Sequence, residues 1–168
     1  PTLLAIRDLI WRLEINRVLV VSTKRIAQYV WPAECKKWTP ELTCESAHGT
    51  PERRNKIIHD DEVHIVTLSA GCVHSLHQQY HKFGALPFEM MVIDESSLFA
   101  ATKSQRGKAM RGLRNKVDRI VELTGSPAAN SLMKLWGQLY LLDQGERLGR
   151  TITAYRTMYF TNTSPKPH

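Results

Sequence analysis

Two adjacent carboxylates follow an apolar run near the middle of the chain. Residues 90–93 are two methionines, a valine and an isoleucine, and Asp94 and Glu95 come directly after them. Such a run is typical of a buried parallel strand, and open parallel sheets bind their ligands at the carboxyl ends of the strands. The pattern therefore predicts a magnesium site beside a nucleotide, with Asp94 on the ion and Glu95 orienting the attacking water. A ligand-free acid pair at an ordinary strand exit is the alternative.

A hydroxyl-bearing turn ends a second strand-like run. Residues 120–124 are rich in β-branched and apolar types, and Gly125, Ser126 and Pro127 follow Thr124. Because parallel strands end at the same edge of a sheet, the hydroxyl groups of Thr124 and Ser126 are expected to reach the acids of the neighbouring strand. The two motifs together favour the nucleotide site over an idle acid pair.

The elements that must position these residues alternate along the chain. Short apolar runs predict strands near 17–22, 43–47, 63–68, 89–94 and 119–124. Periodic apolar residues predict helices over 2–14, 25–38, 51–60, 71–82, 105–116 and 130–142. Alternation of this kind indicates parallel βαβ units, and hence an α/β fold with a mainly parallel central sheet between helical layers.

The acid pair and the hydroxyl turn resemble motifs II and III of the superfamily-two helicases. The likeness includes Asn130 and the segment 135–143, and it is strongest to the Swi/Snf-like translocases, especially their short phage and bacterial forms. Ser126 stands where Thr is commoner in that family, which preserves the hydroxyl group. The resemblance implies a three-layer α-β-α RecA-like domain over residues 1–160, with 161–168 as a polar tail or the start of a linker.

The same resemblance implies roles for individual residues. In the family, motif III couples the nucleotide state to the grip on DNA. The resemblance therefore implies this coupling role for the residues that match motif III. These residues are Thr124, Gly125, Ser126, Pro127 and Asn130.

Two upstream segments resemble the family's motifs Ia and Ib. Residues 17–23 form an apolar strand pattern that leads into a helix, and the resemblance makes Ser22, Thr23 and Lys24 candidates for contacts with DNA phosphates. Ser69, after the strand predicted at 63–68, is a further candidate. A strand-to-helix junction at which Ser or Thr only caps the helix is the alternative.

A phosphate-binding loop is missing from the sequence. Such a loop has the pattern Gly-x-x-x-x-Gly-Lys-Ser/Thr, and no such pattern occurs in the chain. Residues 1–13 instead predict an amphipathic helix of the kind that follows this loop in the family. We expect ATP and Mg²⁺ to serve the complete protein, with no tightly bound cofactor in this chain and no useful ATP hydrolysis by it alone. The family's second RecA-like domain is also expected to be missing.

The charge of the chain indicates a polyanionic partner. Lys and Arg number 23 against 16 Asp and Glu, a formal net charge of +7. Lys103 and Arg106 open a basic segment after motif II, and the resemblance makes them candidates for DNA contacts. Contacts of this kind follow the backbone with little sequence preference. A solvated basic face is the alternative.

The three cysteines and the histidines allow two further predictions. An odd number of cysteines without a Cys-x-x-Cys pair argues for a reducing compartment. The chain has no long apolar stretch, so we expect a cytoplasmic protein without membrane contact. Cys72, His74, His77 and His81 could hold a structural zinc ion, although a histidine-rich helix face is the simpler interpretation.

Two other functions remain open. One is an α/β domain that binds nucleic acid or a protein without catalysis. The other is a metal-dependent nuclease or phosphatase that uses Asp60 or Asp61, but nothing in the sequence brings these residues to the edge of the sheet that holds Asp94.

Overall fold

The fold is built around a parallel sheet of five strands in the order β2-β3-β1-β4-β5. The computed structural model describes residues 1–81, 84–127 and 131–161. The strands are β1 (Val18–Ser22), β2 (Cys44–Ser46), β3 (Ile65–Ser69), β4 (Met90–Asp94) and β5 (Arg119–Leu123). All pairings are parallel. The prediction of a mainly parallel sheet is confirmed.

Helices connect the strands and cover the sheet. They are α1 (Thr2–Trp11), α2 (Trp31–Trp38), α3 (Pro51–Ile58), α4 (Val73–His81), α5 (Gln105–Arg114), α6 (Leu135–Asp143) and α7 (Ile152–Tyr159). Short 3-10 turns occupy Ala70–Cys72, Ser96–Phe99 and Leu132–Lys134, and a π-helical turn occupies Ile26–Val30. None of the helices in the described ranges has the length and apolar character needed to cross a bilayer.

The core lies on both faces of the sheet, because successive strand residues point to opposite sides. On one face, Val18, Val20 and Val92 pack with the inner residues of α1 and α2. On the other face, Leu19 and Met91 pack with the inner residues of α3, α4, α5 and α6. The three-layer α-β-α architecture is therefore confirmed.

The helices differ from their predicted ranges at several ends. The predicted helix 25–38 is divided into the π-helical turn and α2, and Pro32 lies in the first turn of α2. The fixed φ of proline is compatible with the first turn of a helix. Helix α7 was not predicted. The predicted start of the 130–142 helix at Asn130 lies outside the described residues, and α6 begins at Leu135.

Gly137 sets the position of α6. A Cβ atom at this residue would overlap the carbonyl oxygen of Ala100. The missing side chain lets the backbone of α6 come into direct contact with the segment that follows β4. Gln138, the next residue, is thereby brought against this segment and is 3% exposed.

A buried arginine organises the amino-terminal edge of the sheet. Arg17 is 6% exposed, and its guanidinium donates to the carbonyls of Val63 at 3.0 Å and Ile58 at 2.9 Å. Its Nη1 atom also lies 3.4 Å from a carboxylate oxygen of Asp61. Asp61 therefore lies at the edge opposite to Asp94, and nothing supports its use as a third metal ligand there.

Candidate functional site

The carboxyl ends of the strands bring the predicted site residues to one edge of the sheet. Ser22 is in register with Ser69, and Asp94 is in register with Leu123, the residue before Thr124. Neighbouring strands are only about 4.8 Å apart, so side chains that leave these strand ends can meet.

Asp94 is held by two donors, one from the last residue of β1 and one from the first residue of α2. Its Oδ2 atom accepts hydrogen bonds from the Ser22 hydroxyl at 2.9 Å and from the Trp31 indole N–H at 2.9 Å. Trp31 is 8% exposed and Ser22 is fully buried. Both bonds go to the same oxygen, so the carboxylate has a fixed orientation and its Oδ1 atom remains for a ligand.

Asp94 opens onto a largely apolar cleft beside the sheet edge. This cleft has a volume of about 820 Å³, and its walls include Trp31, Glu34 and Leu123 together with residues 1–4 at the start of α1. The first amide groups of a helix lack intrahelical partners and point out of its amino end, where anionic groups are stabilised. The cleft thus combines a carboxylate, apolar walls and the amino end of a helix.

Glu95 lies on the other side of the strand exit. Its backbone is left-handed, with φ 68° and ψ 62°, and its N–H donates to the Leu123 carbonyl at 2.8 Å. Its Oε1 atom accepts hydrogen bonds from Thr124 at 3.1 Å and from Ser97 at 2.7 Å. A left-handed backbone at a non-glycine residue is strained and is maintained here by these contacts. The structure therefore brings the second acid and the hydroxyl turn together.

A polar network ties the turn after β5 to α6. Gln138 accepts a hydrogen bond from the Ser96 hydroxyl at 3.0 Å, and its amide donates to the carbonyl of Pro127. The Ser126 N–H donates to the Thr124 hydroxyl at 3.3 Å. Asn130 and its prediction lie outside the described residues. Sequence reasoning did not single out Ser96 or Gln138, although a glutamine in an apolar helix was a usable signal.

Glu122 is a further residue that the sequence did not single out. It is half-buried on β5, and burial raises the pKa of its carboxyl to about 7, against a smaller opposing effect of a hydrogen bond with Ser96. Its buried Oε1 atom has no hydrogen-bond partner among the described residues. This carboxyl is therefore a neutral group under mildly acidic conditions.

The predicted phosphate contacts after β1 fall into two groups. The side chain of Ser22 is directed inward to Asp94, so it is not accessible to a phosphate in this structure. Thr23 is half-buried, and Lys24 is exposed. Ser69 accepts a hydrogen bond from the Gly71 N–H at 3.3 Å and lines a small cleft together with Lys24.

The basic residues after motif II also fall into two groups, those that are exposed and those that have partners within the chain. Lys103 and Arg106 are exposed at the start of α5. The later residues have partners within the chain: Arg111 donates to Thr102, Arg114 to Leu141, Lys116 to Gly84 and Arg119 to Glu14. These contacts hold the four side chains against the fold, but only Arg119 is paired with an acid among them.

The histidine-rich helix does not form a metal centre of the predicted kind. The rings of His77 and His81 are 5.3 Å apart between centroids. No three His, Cys, Asp or Glu side chains within the described ranges come together as a metal site. Burial, followed by the charges of His81 and His74, lowers the pKa of His77. This arrangement does not support the zinc alternative.

The parallel sheet with its acid pair at the carboxyl edge defines a RecA-like α/β domain. A family profile described as SNF2-related domain matches residues 7–149. The chain belongs to this family, the Swi/Snf-like branch of the superfamily-two helicases, which confirms the resemblance seen in motifs II and III.

Individual relatives support the same assignment. Putative protein p41 of Acyrthosiphon pisum secondary endosymbiont phage 1 is 31% identical over 88% of this chain and 33% of its own length. Helicase SWR1 of Saccharomyces cerevisiae is 30% identical over 74% of this chain and 8% of its own length. The chain therefore spans a third or less of these relatives.

A solved structure has the same fold. The Sulfolobus solfataricus SWI2/SNF2 ATPase core in complex with dsDNA superimposes with a TM-score of 0.77 at 22% identity. The match covers 93% of this chain and 31% of that one.

Proposed function

We propose that the chain forms the first RecA-like half of the motor of an ATP-driven DNA helicase or translocase. Residues 1–160 make up this half, and residues 161–168 are a tail or the start of a linker. The observation that carries the proposal is the single sheet edge that holds Asp94, Glu95 and Thr124, with Asp94 lining the 820 Å³ cleft.

Asp94 fits a magnesium ion that is held through water. A carboxylate with one oxygen already bonded to protein donors is a hard oxygen ligand in a fixed orientation, and Mg²⁺ keeps several of its waters when it binds beside phosphates. Bound Mg²⁺ supplies charge neutralisation on the phosphoryl group that ATP transfers. Asp94 orients the hydrated ion, and Ser22 and Trp31 hold Asp94.

Glu95 orients the attacking water. Its hydrogen bonds from Thr124 and Ser97 hold Oε1, which leaves Oε2 to accept a hydrogen bond from water. The same contact to Thr124 links the acid to the turn that contains Gly125, Ser126 and Pro127. Together with Asn130, this turn couples the state of the nucleotide to the grip on DNA.

DNA is the proposed polyanion. The Sulfolobus relative was solved with dsDNA, and a net charge of +7 favours binding to phosphates by counterion release. The side chains of Thr23, Lys24, Ser69, Lys103 and Arg106 contact the backbone with little sequence preference.

ATP hydrolysis by the gene product that contains this chain tests the proposal. Asp94→Asn and Glu95→Gln are each expected to lower DNA-stimulated phosphate release by roughly 100-fold or more, because each removes a group that acts on the transferred phosphoryl or the water. Glu45→Gln is the matched control, since Glu45 is an exposed acid on β2. Unchanged phosphate release in both site variants would contradict the proposal.

The chain alone is proposed not to turn over ATP. It contains no Gly-rich phosphate loop sequence, and the arginines of a second RecA-like domain are supplied by another part of the motor. A phosphate-release assay on the 168-residue chain, with and without duplex DNA, is expected to remain at background. Release above background would show a nucleotide site of a different kind.

A further inference from the structure

Two cysteine side chains meet between α2 and the edge strand β2. Cys35 lies in the last turn of α2 and is 1% exposed, whereas Cys44 is the first residue of β2 and is half-buried. Both side chains belong to the apolar cluster that α1 and α2 form with one face of the sheet. Both are free thiols, and the proposed nucleotide chemistry uses neither of them.

The chain around residue 43 turns the Cys44 side chain toward α2. The Sγ atom of Cys35 lies 3.7 Å from the carbonyl oxygen of Leu42. Leu42 and Cys44 both join the apolar cluster with Cys35. Thr43 between them is exposed, and its hydroxyl oxygen lies 2.7 Å from Nδ1 of His64. Successive side chains thus point to opposite sides here, and residue 44 is on the same side as Cys35.

A hydrogen bond joins the two thiols, with the S–H of Cys44 as donor and the Cys35 sulfur as acceptor. This bond lowers the pKa of the Cys35 thiol, burial opposes the change, and the Thr39 hydroxyl, 3.3 Å away, adds a smaller lowering. The same bond, together with burial, raises the pKa of the Cys44 thiol. When the pair loses a proton, the negative charge therefore lies on Cys35. The thiolate is the form of cysteine that attacks a disulfide.

The third cysteine lies on the other face of the sheet. Cys72 packs against the apolar cluster of α3, α4, α5 and α6, whereas Cys35 and Cys44 pack with α1 and α2. The sheet separates Cys72 from the other two thiols. Within one folded molecule, Cys35 and Cys44 are therefore the two cysteines that can pair.

We infer that Cys35 and Cys44 form a reversible disulfide when low-molecular-weight disulfides accumulate, so that this contact is a redox-sensitive modification site. The half-exposed Cys44 meets the oxidant, its sulfur bonds to one sulfur of the oxidant, and the S–S bond of the oxidant breaks. The first small thiol leaves with the Cys44 proton. The Cys35 sulfur then attacks the Cys44 sulfur, and the second small thiol leaves with the Cys35 proton. The two cysteines lose two electrons in total, and the oxidant gains them as it becomes two thiols.

The new bond would join α2 covalently to β2. A disulfide has a sulfur–sulfur distance of about 2.05 Å, which is shorter than the contact between two thiols, so its formation draws the two side chains together. Trp31, the first residue of α2, donates to Asp94, and Cys35 lies one helical turn after it. Oxidation therefore fixes the helix that holds the candidate magnesium ligand. Its formation requires neither ATP nor DNA. In reducing compartments such disulfides are transient and often redox-sensing.

Exchange with glutathione disulfide tests the inference. The 168-residue chain is equilibrated with mixtures of glutathione and glutathione disulfide, and the remaining thiols are blocked with N-ethylmaleimide. The intact mass is expected to show the loss of two hydrogen atoms and one maleimide adduct, located on Cys72. Lys36 and Lys37 lie between the paired cysteines, so trypsin places them in different peptides. A linked pair of peptides that separates on reduction identifies the bridge.

The same titration in concentrated urea measures pairing in the unfolded chain. Because the fold holds the two thiols together, the equilibrium constant for the bridge is expected to be roughly 10- to 100-fold larger in the folded chain than in urea. By the same linkage, the melting temperature of the bridged chain is expected to rise by roughly 5 °C. Dithiothreitol is expected to reverse this rise.

Cys72→Ser is the matched control and is expected to retain both the bridge and the rise in melting temperature. Cys35→Ser and Cys44→Ser are each expected to lose both. Cys44 is half-buried, so Cys44→Ser provides this result even if the substitution at the buried Cys35 prevents folding. Equal equilibrium constants in buffer and in urea would overturn the inference. Maleimide on all three cysteines, mixed disulfides with glutathione alone, or a bridge that includes Cys72 would overturn it as well.

Discussion

The carboxyl of Glu122 makes the stability of the fold depend on pH near neutrality. Burial raises its pKa from the ordinary value of 4.5 to about 7, and Oε1 has no partner among the described residues that would stabilise a charge. The folded state therefore binds more protons than the unfolded state between these two values. This contribution to stability is complete below pH 4.5 and is lost as pH rises through about 7.

The size of the effect follows from the two pKa values. One pKa unit corresponds to about 1.4 kcal/mol, so the rise from 4.5 to about 7 corresponds to at most about 3 kcal/mol. Glu122→Gln keeps the shape of the neutral acid and removes its titration. We expect the variant to match the unsubstituted chain near pH 5 and to exceed its unfolding free energy by up to about 3 kcal/mol at pH 8.5. Urea denaturation across this range measures the difference.

Glu89→Gln is the control, because the pKa of Glu89 is shifted in the opposite direction to that of Glu122. Burial opposes ionisation of Glu89, but hydrogen bonds from the backbone N–H groups of Arg17 and Asn16 outweigh it and lower its pKa. Its stabilising contribution is lost only as pH falls, so the deficit of Glu89→Gln is expected to be constant between pH 5 and 8.5. A Glu122→Gln effect that is equally independent of pH, or a loss of stability at pH 8.5, would refute the reasoning.

Two further predictions concern packing and a buried charge. Gly137→Ala places a methyl group against the carbonyl oxygen of Ala100 and is expected to lower the unfolding free energy by about 1–3 kcal/mol. Gly71→Ala, which meets no atom closer than 3.6 Å, should leave the melting temperature nearly unchanged, and equal losses would contradict the packing argument. Arg17→Met leaves two buried carbonyls without their donor and is expected to cost about 3 kcal/mol in urea denaturation. The exposed Arg12→Met serves as its control, and an Arg17→Met loss no larger than that of Arg12→Met would show that the buried bonds contribute little.

Much of the fold was predictable because its strands are buried on both faces. The runs that end at Ser22, Ser69 and Asp94 are almost continuously apolar, which is the pattern of central strands covered on both sides. The parallel arrangement also predicted that the candidate site residues lie at one edge of the sheet, because parallel strands end at a common edge. The roles of the residues at this edge remain predictions.

The remaining features depend on contacts that a sequence pattern does not encode. A shift of one residue at a strand end turns a side chain to the other face, so the inward direction of Ser22 was not predictable. The network of Gln138 with Ser96 depends on the close approach of α6 at Gly137, which is a tertiary contact. Likewise, the raised pKa of Glu122 arises from burial, which depends on the tertiary packing around β5.

The two donors to Asp94 enclose the segment 23–30 at both of its ends. Ser22 and Trp31 bond the same carboxylate oxygen, and Lys24 lies on the chain between them. The segment is thus bonded to Asp94 through the residues at both of its ends, and a displacement of the Asp94 carboxylate would move both ends together. Because Lys24 lies within this segment, a change in the cleft beside Asp94 would reach Lys24 across a few residues, without any rearrangement of the sheet.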